Sequence, residues 1–242
     1  MSQSQAIHST FARNERLRNE IERQIDFDPQ NWITGEPDQI GWNLSKTKRV
    51  IDAALALIVL AILTPILLCV ILAVKLTSEG PIFFAQDRTG YMGRRFKMYK
   101  FRTMVQDAEK RKAELDHLSH HATDSPDFKI KSDPRITPVG AFLRKFSLDE
   151  LPQVYNVLRG DMSLIGPRPT SFGAEKYEDH HLARLASIPG LTGIWQVSGR
   201  SNIDFDGRVI LDRRYIVQQG PLQDLKILVM TPFAVLKGDG AY

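Results

Sequence analysis

An apolar run over residues 53–74 constrains this chain more than any other feature of its sequence. The run is apolar except for Thr64, Pro65 and Cys69. As a straight helix with a rise of about 1.5 Å per residue it would be ~33 Å long, which is enough to cross a bilayer. The run therefore predicts a membrane helix, and a single transmembrane span is the default interpretation.

Two features of the run favour a different path through the membrane. Pro65 lies near its middle, and a proline removes a backbone donor and bends a helix. Basic residues flank the run on both sides, and the positive-inside rule places each flank in the cytoplasm. These residues are Lys46, Lys48 and Arg49 before it, and Lys75, Arg88, Arg94, Arg95, Lys97, Lys100 and Arg102 after it. A re-entrant or broken helix over residues 46–76, bent at Thr64 and Pro65, satisfies both flanks, although spanning helices also tolerate proline.

The rest of the composition is that of a folded protein with a basic surface. The net charge is +4 over 242 residues and the sequence pI is about 9.2, which suits a phosphate, a nucleotide or a lipid headgroup. No recognition motif for nucleic acid is present, so we expect none as a partner. The single cysteine, Cys69, excludes an intramolecular disulfide. His117, His120 and His121 have the spacing of a zinc site, with surface histidines as the alternative.

The chain divides into three regions. Residues 1–45 form a polar N-terminal arm, residues 46–76 the membrane helix, and residues 77–242 a cytosolic domain. Trp32 and Trp42 of the arm suit either a membrane–water interface or packing on the domain. We expect no signal peptide, because the apolar run starts late and lacks a small-residue cleavage site.

A strand is predicted over residues 96–104, with Phe96 and Met98 on one face and Lys100 towards the other. Lys100 and Arg102 are two positions apart, so they would leave the strand on the same face. Two cations on one face can bind a diphosphate. The alternative is a solvated basic face near anionic lipid.

The C-terminal part carries weaker signals. Residues 194–197 predict a short strand. Residues 225–236 are apolar but interrupted at Pro232 and too short to span a membrane, which predicts a helix at the interface or in the core. Asp204 and Asp206 form the D-x-D pattern of metal-dependent glycosyltransferases, with a solvated loop as the alternative.

A polar stretch over residues 147–169 holds two adjacent carboxylates, Asp149 and Glu150. Ser147 and Glu150 have the spacing of a capping box, which would start a helix at this point. Pro152 disagrees, because it would stand where the helix needs a backbone N–H. We therefore prefer a helix that begins near Pro152, with the carboxylate pair on the approach to it.

Adjacent carboxylates on such a turn point in different directions, so they would do different jobs. One can attack a substrate while the other holds a metal ion, although such pairs also serve simply as caps. Arg144 and Arg168 flank the pair in sequence and could neutralise charge. Arg168 stands between two prolines, which favours a preorganised contact.

Several longer motifs resemble the bacterial sugar transferase family, the monotopic phosphoglycosyl transferases that start exopolysaccharide and glycan synthesis on a polyprenyl phosphate. These motifs are SLDELPQ at 147–153, GDMSLIGPRP at 160–169 and PGLTGIWQVSGR at 189–200, with KRVID at 48–52 and YKFRTM at 99–104 in the same order. The resemblance covers residues 46–242 and corresponds to the short form of the family. The family usually has Ser-Pro at the helix bend, where this chain has Thr64 and Pro65.

The resemblance implies an α+β monotopic membrane protein, with a re-entrant helix and a small cytosolic α/β catalytic domain that carries interfacial amphipathic helices. It implies transfer of a hexose 1-phosphate from a UDP-sugar, galactose or glucose, to undecaprenyl phosphate with release of UMP. Asp149 matches the nucleophile that forms an aspartyl phosphosugar, and Glu150 matches the residue that holds Mg²⁺.

The resemblance also implies four basic residues around phosphate or nucleotide: Lys100, Arg144, Arg168 and Arg200. It places the protein at the cytoplasmic face of the bacterial inner membrane, among membrane lipid, and leaves a homodimer open. The rival hypotheses are a metal-dependent glycosyltransferase that releases UDP, and an inactive membrane-docked interaction module.

Overall fold

The structure is a computed structural model that describes residues 41–108, 133–199 and 203–237. Most of the predicted arm, the three histidines with zinc-like spacing and Arg200 lie outside these residues. The helices and strands are α1 (Lys46–Thr77), β1 (Phe83–Thr89), β2 (Arg95–Phe101), α2 (Pro138–Lys145), α3 (Gln153–Arg159), β3 (Ser163–Ile165), β4 (Gly190–Thr192), α4 (Ile194–Ser198), α5 (Phe205–Gln218) and α6 (Pro221–Lys237). This mixture of helices and small sheets confirms the α+β class.

The apolar run forms the central part of α1, which continues through Pro65. The Ser45 side chain caps the helix by accepting from the Lys48 amide at 3.1 Å. Within the described residues, α1 alone is long and apolar enough to cross a membrane, with a mean hydropathy of 3.2 in its most apolar window. Thr64 donates its hydroxyl to the Leu60 carbonyl at 2.7 Å, one turn before it.

Both halves of α1 pack against the same folded domain. In the first half Ala56 is fully buried in the main core, and Arg49 donates to the carbonyls of Val157 and Leu158 at 2.5 Å each. In the second half Val70 and Val74 are buried in a second cluster that also holds Phe101, Leu143, Leu148 and Leu151. The middle of the helix, around Thr64 and Pro65, is exposed.

A buried charge cluster holds the start of α1. Lys48 pairs with Asp52, as their spacing allows, and its Nζ also lies 3.1 Å from Asp224 Oδ2 on α6. Ser163 donates to Asp52 Oδ2 at 2.7 Å, and Trp42 Nε1 donates to Asp224 Oδ2 at 2.8 Å. The cluster therefore ties the helix entry to β3 and α6 inside the domain.

β1 and β2 form an antiparallel hairpin in which Phe84 lies opposite Lys100 and Arg88 opposite Phe96. Phe96 and Met98 are buried, as their alternation predicts. Lys100 was predicted on the opposite face, which is wrong: the strand runs regularly to Phe101, so Lys100 shares the face of Phe96 and Met98.

Arg102 does not join Lys100 on a common diphosphate-binding face, contrary to one of the two interpretations. It lies beyond the end of β2, and its guanidinium donates to the carbonyl of Pro81 and, at 2.7 Å, to that of Ser78. Arg102 therefore fastens the exit of α1 to the hairpin.

The helix after the carboxylate pair begins where Pro152 indicates. Leu148–Glu150 is a 3₁₀ turn, and α3 starts at Gln153 with Pro152 as its N-cap residue. The capping box that the spacing of Ser147 and Glu150 allows is not formed: Ser147 has a left-handed backbone (φ 54°) and its side chain makes no capping hydrogen bond.

A second, parallel pair of strands joins β3 to β4, with Ser163 opposite Gly190 and Ile165 opposite Thr192. A Cβ at Gly190 or Gly193 would collide with the backbone of Gly166, so this close approach requires glycine. The strand predicted over residues 194–197 is wrong, since Ile194–Ser198 is a helix. Periodicity cannot separate a helix from a strand in so short an apolar run.

The C-terminal helix α6 confirms the predicted helix over 225–236 and continues through Pro232. Ile227 is buried in the main core. The opposite face carries an exposed apolar stripe made of Leu222, Leu225, Val229, Phe233 and Leu236. This stripe and the exposed surface of α1 give the domain two apolar faces.

Candidate active site

The carboxylate pair lies on the 3₁₀ turn between α2 and α3. α2 ends at Lys145, and the left-handed conformation of Ser147 turns the chain into Leu148–Glu150. A non-glycine residue in this conformation is strained by the order of 1 kcal/mol, and such residues cluster at functional sites. The turn contacts the end of β2, which brings Lys100 to the pair.

Glu150 is held by two cations. Lys100 Nζ donates to Oε1 at 2.8 Å, while Arg168 donates Nη1 to Oε2 at 2.9 Å and Nη2 to Oε1. Burial alone would raise the pKa of Glu150, but the charges and hydrogen bonds of Arg168 and Lys100 outweigh it and hold this pKa far below its usual range. Glu150 is therefore a fixed, ionised carboxylate.

Asp149 has the opposite environment. It is 7% exposed, and within the described residues no hydrogen bond or ion pair to its carboxylate is recorded. Burial raises its pKa and the negative charge of Glu150 raises it further, while Lys100 and Arg144 oppose the shift. Asp149 therefore keeps its oxygen lone pairs available beside a fixed carboxylate and three cations.

Arg144 is near the pair without bonding to it directly. Its Nε donates to the Thr103 hydroxyl at 2.9 Å, and its charge acts on Asp149 and Glu150. Burial lowers the pKa of Arg144 and also that of Lys100. These cations are poorly hydrated, which strengthens their attraction for an incoming anion.

Of the predicted site residues, the structure brings together Lys100, Glu150 and Arg168 by direct contact, and Asp149 and Arg144 by proximity. Thr64 and Pro65 lie apart from them in the exposed middle of α1. Arg200 is outside the described residues.

Two arginines that were not predicted as site residues, Arg88 and Arg184, contact the segment that carries Arg168. Arg88 Nη1 approaches the Pro169 carbonyl at 3.5 Å, and Arg184 Nη2 donates to the Arg168 carbonyl at 2.8 Å. Arg184 had one recognisable signal: it is a lone charge in an apolar run, and such residues are buried only when paired. Asp212 of α5 is the partner, 2.7 Å from Arg184 Nη2.

Asp204 and Asp206 make contacts with other parts of the chain. Asp204 caps α5 by accepting from the Gly207 amide at 2.8 Å, and Asp206 lies 2.7 Å from His181 Nε2. His180, His181 and Asp206 are close enough to hold a metal ion. However, His181 Nδ1 accepts from the Glu178 amide, so the proton is on Nε2, where it is donated to Asp206.

The carboxylate pair offers ligands that suit Mg²⁺, which prefers oxygen. Glu150 accepts three hydrogen bonds, from Lys100 and Arg168, which leaves it one of about four lone-pair positions. Asp149 accepts none that is recorded within the described residues. The donor set therefore fits the ion.

Comparison with known proteins assigns the chain to a family. Residues 43–238 match the family described as Bacterial sugar transferase. Galactosyl transferase CpsE of Streptococcus agalactiae is 47% identical over 80% of this chain and 43% of its own length. The undecaprenyl-phosphate galactose phosphotransferase of Salmonella typhimurium is 44% identical over 81% of this chain and 41% of its own. The exopolysaccharide production protein ExoY of Sinorhizobium fredii is 40% identical over 81% of this chain and 88% of its own.

The chain belongs to the bacterial sugar transferase family, as its motifs predicted. It spans less than half the length of the first two relatives and most of the length of the third.

The pKa values of Asp149 and Glu150 are shifted in opposite directions, which predicts the order in which the two carboxylates take up a proton. As the pH falls, Asp149 takes up its proton before Glu150, because its pKa is raised and that of Glu150 is lowered. Infrared difference spectra of the carboxyl band, recorded during acid titration, measure this order. The carboxyl band that appears first as the pH falls is expected to be absent from Asp149→Asn and to persist in Glu150→Gln. In Glu150→Gln its midpoint moves to lower pH, because the neighbouring negative charge is gone. An early band that disappears in Glu150→Gln instead contradicts the assignment.

Proposed function

We propose that the protein transfers a hexose 1-phosphate from a UDP-sugar, galactose or glucose, to undecaprenyl phosphate and releases UMP. This is the first membrane step of exopolysaccharide synthesis. The observation that carries the proposal is the carboxylate pair, in which Glu150 is clamped by two cations while Asp149 is left available. The names of the Salmonella and Sinorhizobium relatives, which specify undecaprenyl-phosphate galactose transfer and exopolysaccharide production, support the substrate class.

Asp149 is the proposed nucleophile. One of its carboxylate oxygens attacks the sugar-linked phosphorus, a new Asp149–phosphorus bond forms, and the phosphoanhydride bond to UMP breaks. A phosphate oxygen of the lipid then attacks the same phosphorus and releases the Asp149 carboxylate. Attack requires the ionised carboxylate, and Lys100 and Arg144 stabilise that form against burial.

The cations serve the diphosphate in this account. Lys100, Arg144 and Arg168, whose charges act on Asp149, would neutralise the charge that moves onto the departing UMP phosphate. Arg200 is proposed to join them. Glu150 would hold Mg²⁺ through its remaining oxygen position, and the ion would supply further charge neutralisation at the diphosphate.

The membrane segment is proposed to be re-entrant, with the domain on the cytoplasmic face of the inner membrane. Contacts at Arg49 and at Val70 would be about 31 Å apart along a straight helix. Yet Arg49 binds Val157 and Leu158, while Val70 shares a cluster with Leu148. Because both ends of α1 pack against one small domain, we favour a path in which α1 enters and leaves the membrane by the same face.

The same packing supports a position of the proposed nucleophile near the lipid. Leu148 and Leu151 flank the carboxylate pair in sequence and belong to the cluster of Val70 and Val74. The exposed apolar stripe on α6 suits a helix that lies in the interface. A lipid phosphate at headgroup depth would then reach Asp149 without leaving the membrane.

The released nucleotide tests the reaction. Purified membranes with undecaprenyl phosphate and a panel of UDP-sugars are expected to release UMP with one hexose, and Asp149→Asn is expected to lower the rate at least about 1,000-fold, as loss of a nucleophile does. Asp206→Asn is the matched control and is expected to retain activity, since Asp206 is an exposed partner of His181. Release of UDP, or an active Asp149→Asn, would contradict the proposal.

Cysteine labelling tests the re-entrant path. Cys69 is exposed and is first replaced by serine. In this background Ser4→Cys, ahead of α1, and Lys97→Cys, after it, are both expected to react with a membrane-impermeant reagent only when the inner face is opened. Labelling of Ser4→Cys in cells with an intact inner membrane would show a plain span instead.

A further inference from the structure

Carbonyl groups of the segment around Arg168 accept hydrogen bonds from other parts of the domain. Pro167 and Pro169 have no N–H to donate. The Pro167 carbonyl accepts from the Gly190 amide at 2.9 Å, and the Thr170 carbonyl accepts from the Thr89 amide at 2.9 Å. Between these two backbone anchors, the Arg168 carbonyl accepts from the side chain of Arg184.

Arg184 is itself fixed by burial, charge and stacking. It lies in the 3₁₀ helix Asp179–Ala186 and is 4% exposed. Its Nη2 lies 2.7 Å from Asp212 Oδ2, and its guanidinium lies over the Phe205 ring at 5.3 Å from the centroid. Asp212 is 1% exposed, so both members of the ion pair are removed from water.

A buried ion pair adds little to the free energy of unfolding, because apolar side chains of similar size often stabilise the fold equally or more. Here the same nitrogen, Arg184 Nη2, meets both Asp212 and the Arg168 carbonyl. Asp212 supplies the countercharge that allows an arginine to be buried behind the site. Arg168 in turn places its guanidinium on Glu150.

We propose that Arg184, with Asp212 as its counter-ion, is a positioning residue that fixes Arg168 and through it the carboxylate of Glu150. The inference adds to the proposed function, on which its kinetic readout rests. It connects α5 to the active site through a chain of three contacts, from Asp212 to Arg184, to Arg168, and to Glu150.

The test separates stability from positioning with two variants. In Arg184→Met with Asp212→Leu the buried charges are removed together, so the melting temperature stays near wild type, but the donor to Arg168 is lost. Its kcat is expected to fall about 10- to 100-fold, as when an outer partner of a site is removed, with little change in the UDP-sugar KM. In Asp212→Asn the melting temperature falls, but Arg184 keeps an acceptor and its bond to Arg168, so kcat below the melting temperature stays near wild type.

Hydrogen exchange gives a second readout that needs no activity. Amides in residues 166–173, and the Thr89 and Gly190 amides that donate to this segment, are expected to exchange faster in the double variant than in wild type, while the other amides of the β1–β2 hairpin do not change. The exposed pair Asp87 and Lys97, replaced in the same way by leucine and methionine, is the control and is expected to alter neither kcat nor exchange in residues 166–173.

The outcomes are distinct. A double variant with wild-type kcat, or with unchanged exchange over residues 166–173, overturns the positioning role. A wild-type protein that releases no UMP refutes the proposed function, while the exchange measurement still decides the role of Arg184. If the double variant does not fold, Arg184→Lys replaces it, because the lysine ammonium keeps a charge beside Asp212 but is too short to reach the Arg168 carbonyl. Arg184→Lys is expected to have a lower kcat and faster exchange over residues 166–173. Wild-type values of both overturn the proposal.

Discussion

The clamp on Glu150 is the interaction on which the site depends. Lys100 and Arg168 occupy three of its lone-pair positions and keep it ionised despite burial. Lys100 and Arg168 bond to Glu150, whereas in the described part of the chain the adjacent Asp149 carboxylate accepts no hydrogen bond and feels these cations only through their charge. Two carboxylates that are neighbours in sequence thereby acquire different chemistry, one as a fixed anion and one as an available oxygen.

The rest of the fold positions the residues that surround the two carboxylates. β2 positions Lys100. The parallel strands β3 and β4, which pack closely because of their glycines, position the segment that carries Arg168. The second half of α1 packs on the turn that carries the pair, so the apolar helix and the site form one unit. The site therefore lies against the helix that is long and apolar enough to cross a membrane.

Much of this could be read from the sequence. Arg168 between two prolines predicted a preorganised contact, and Pro152 indicated that the helix begins after the carboxylate pair; both agree with the structure. What could not be read depends on contacts between distant segments. The face of Lys100 follows from a strand register fixed by β1, and the role of Arg184 requires a partner 28 positions away on α5. The run at 194–197 was too short for its period to distinguish a helix from a strand.

If Asp149 attacks phosphorus as proposed, a covalent hexose phosphate forms on its carboxylate before the lipid acceptor reacts. The protein is incubated with the UDP-sugar in the absence of lipid acceptor, quenched, digested and analysed by mass spectrometry. We expect an acid-quenched adduct of one hexose phosphate on the peptide that contains Asp149, with one UMP released for each adduct and no adduct in Asp149→Asn. UMP release that requires the lipid acceptor and leaves the peptide unmodified would contradict it.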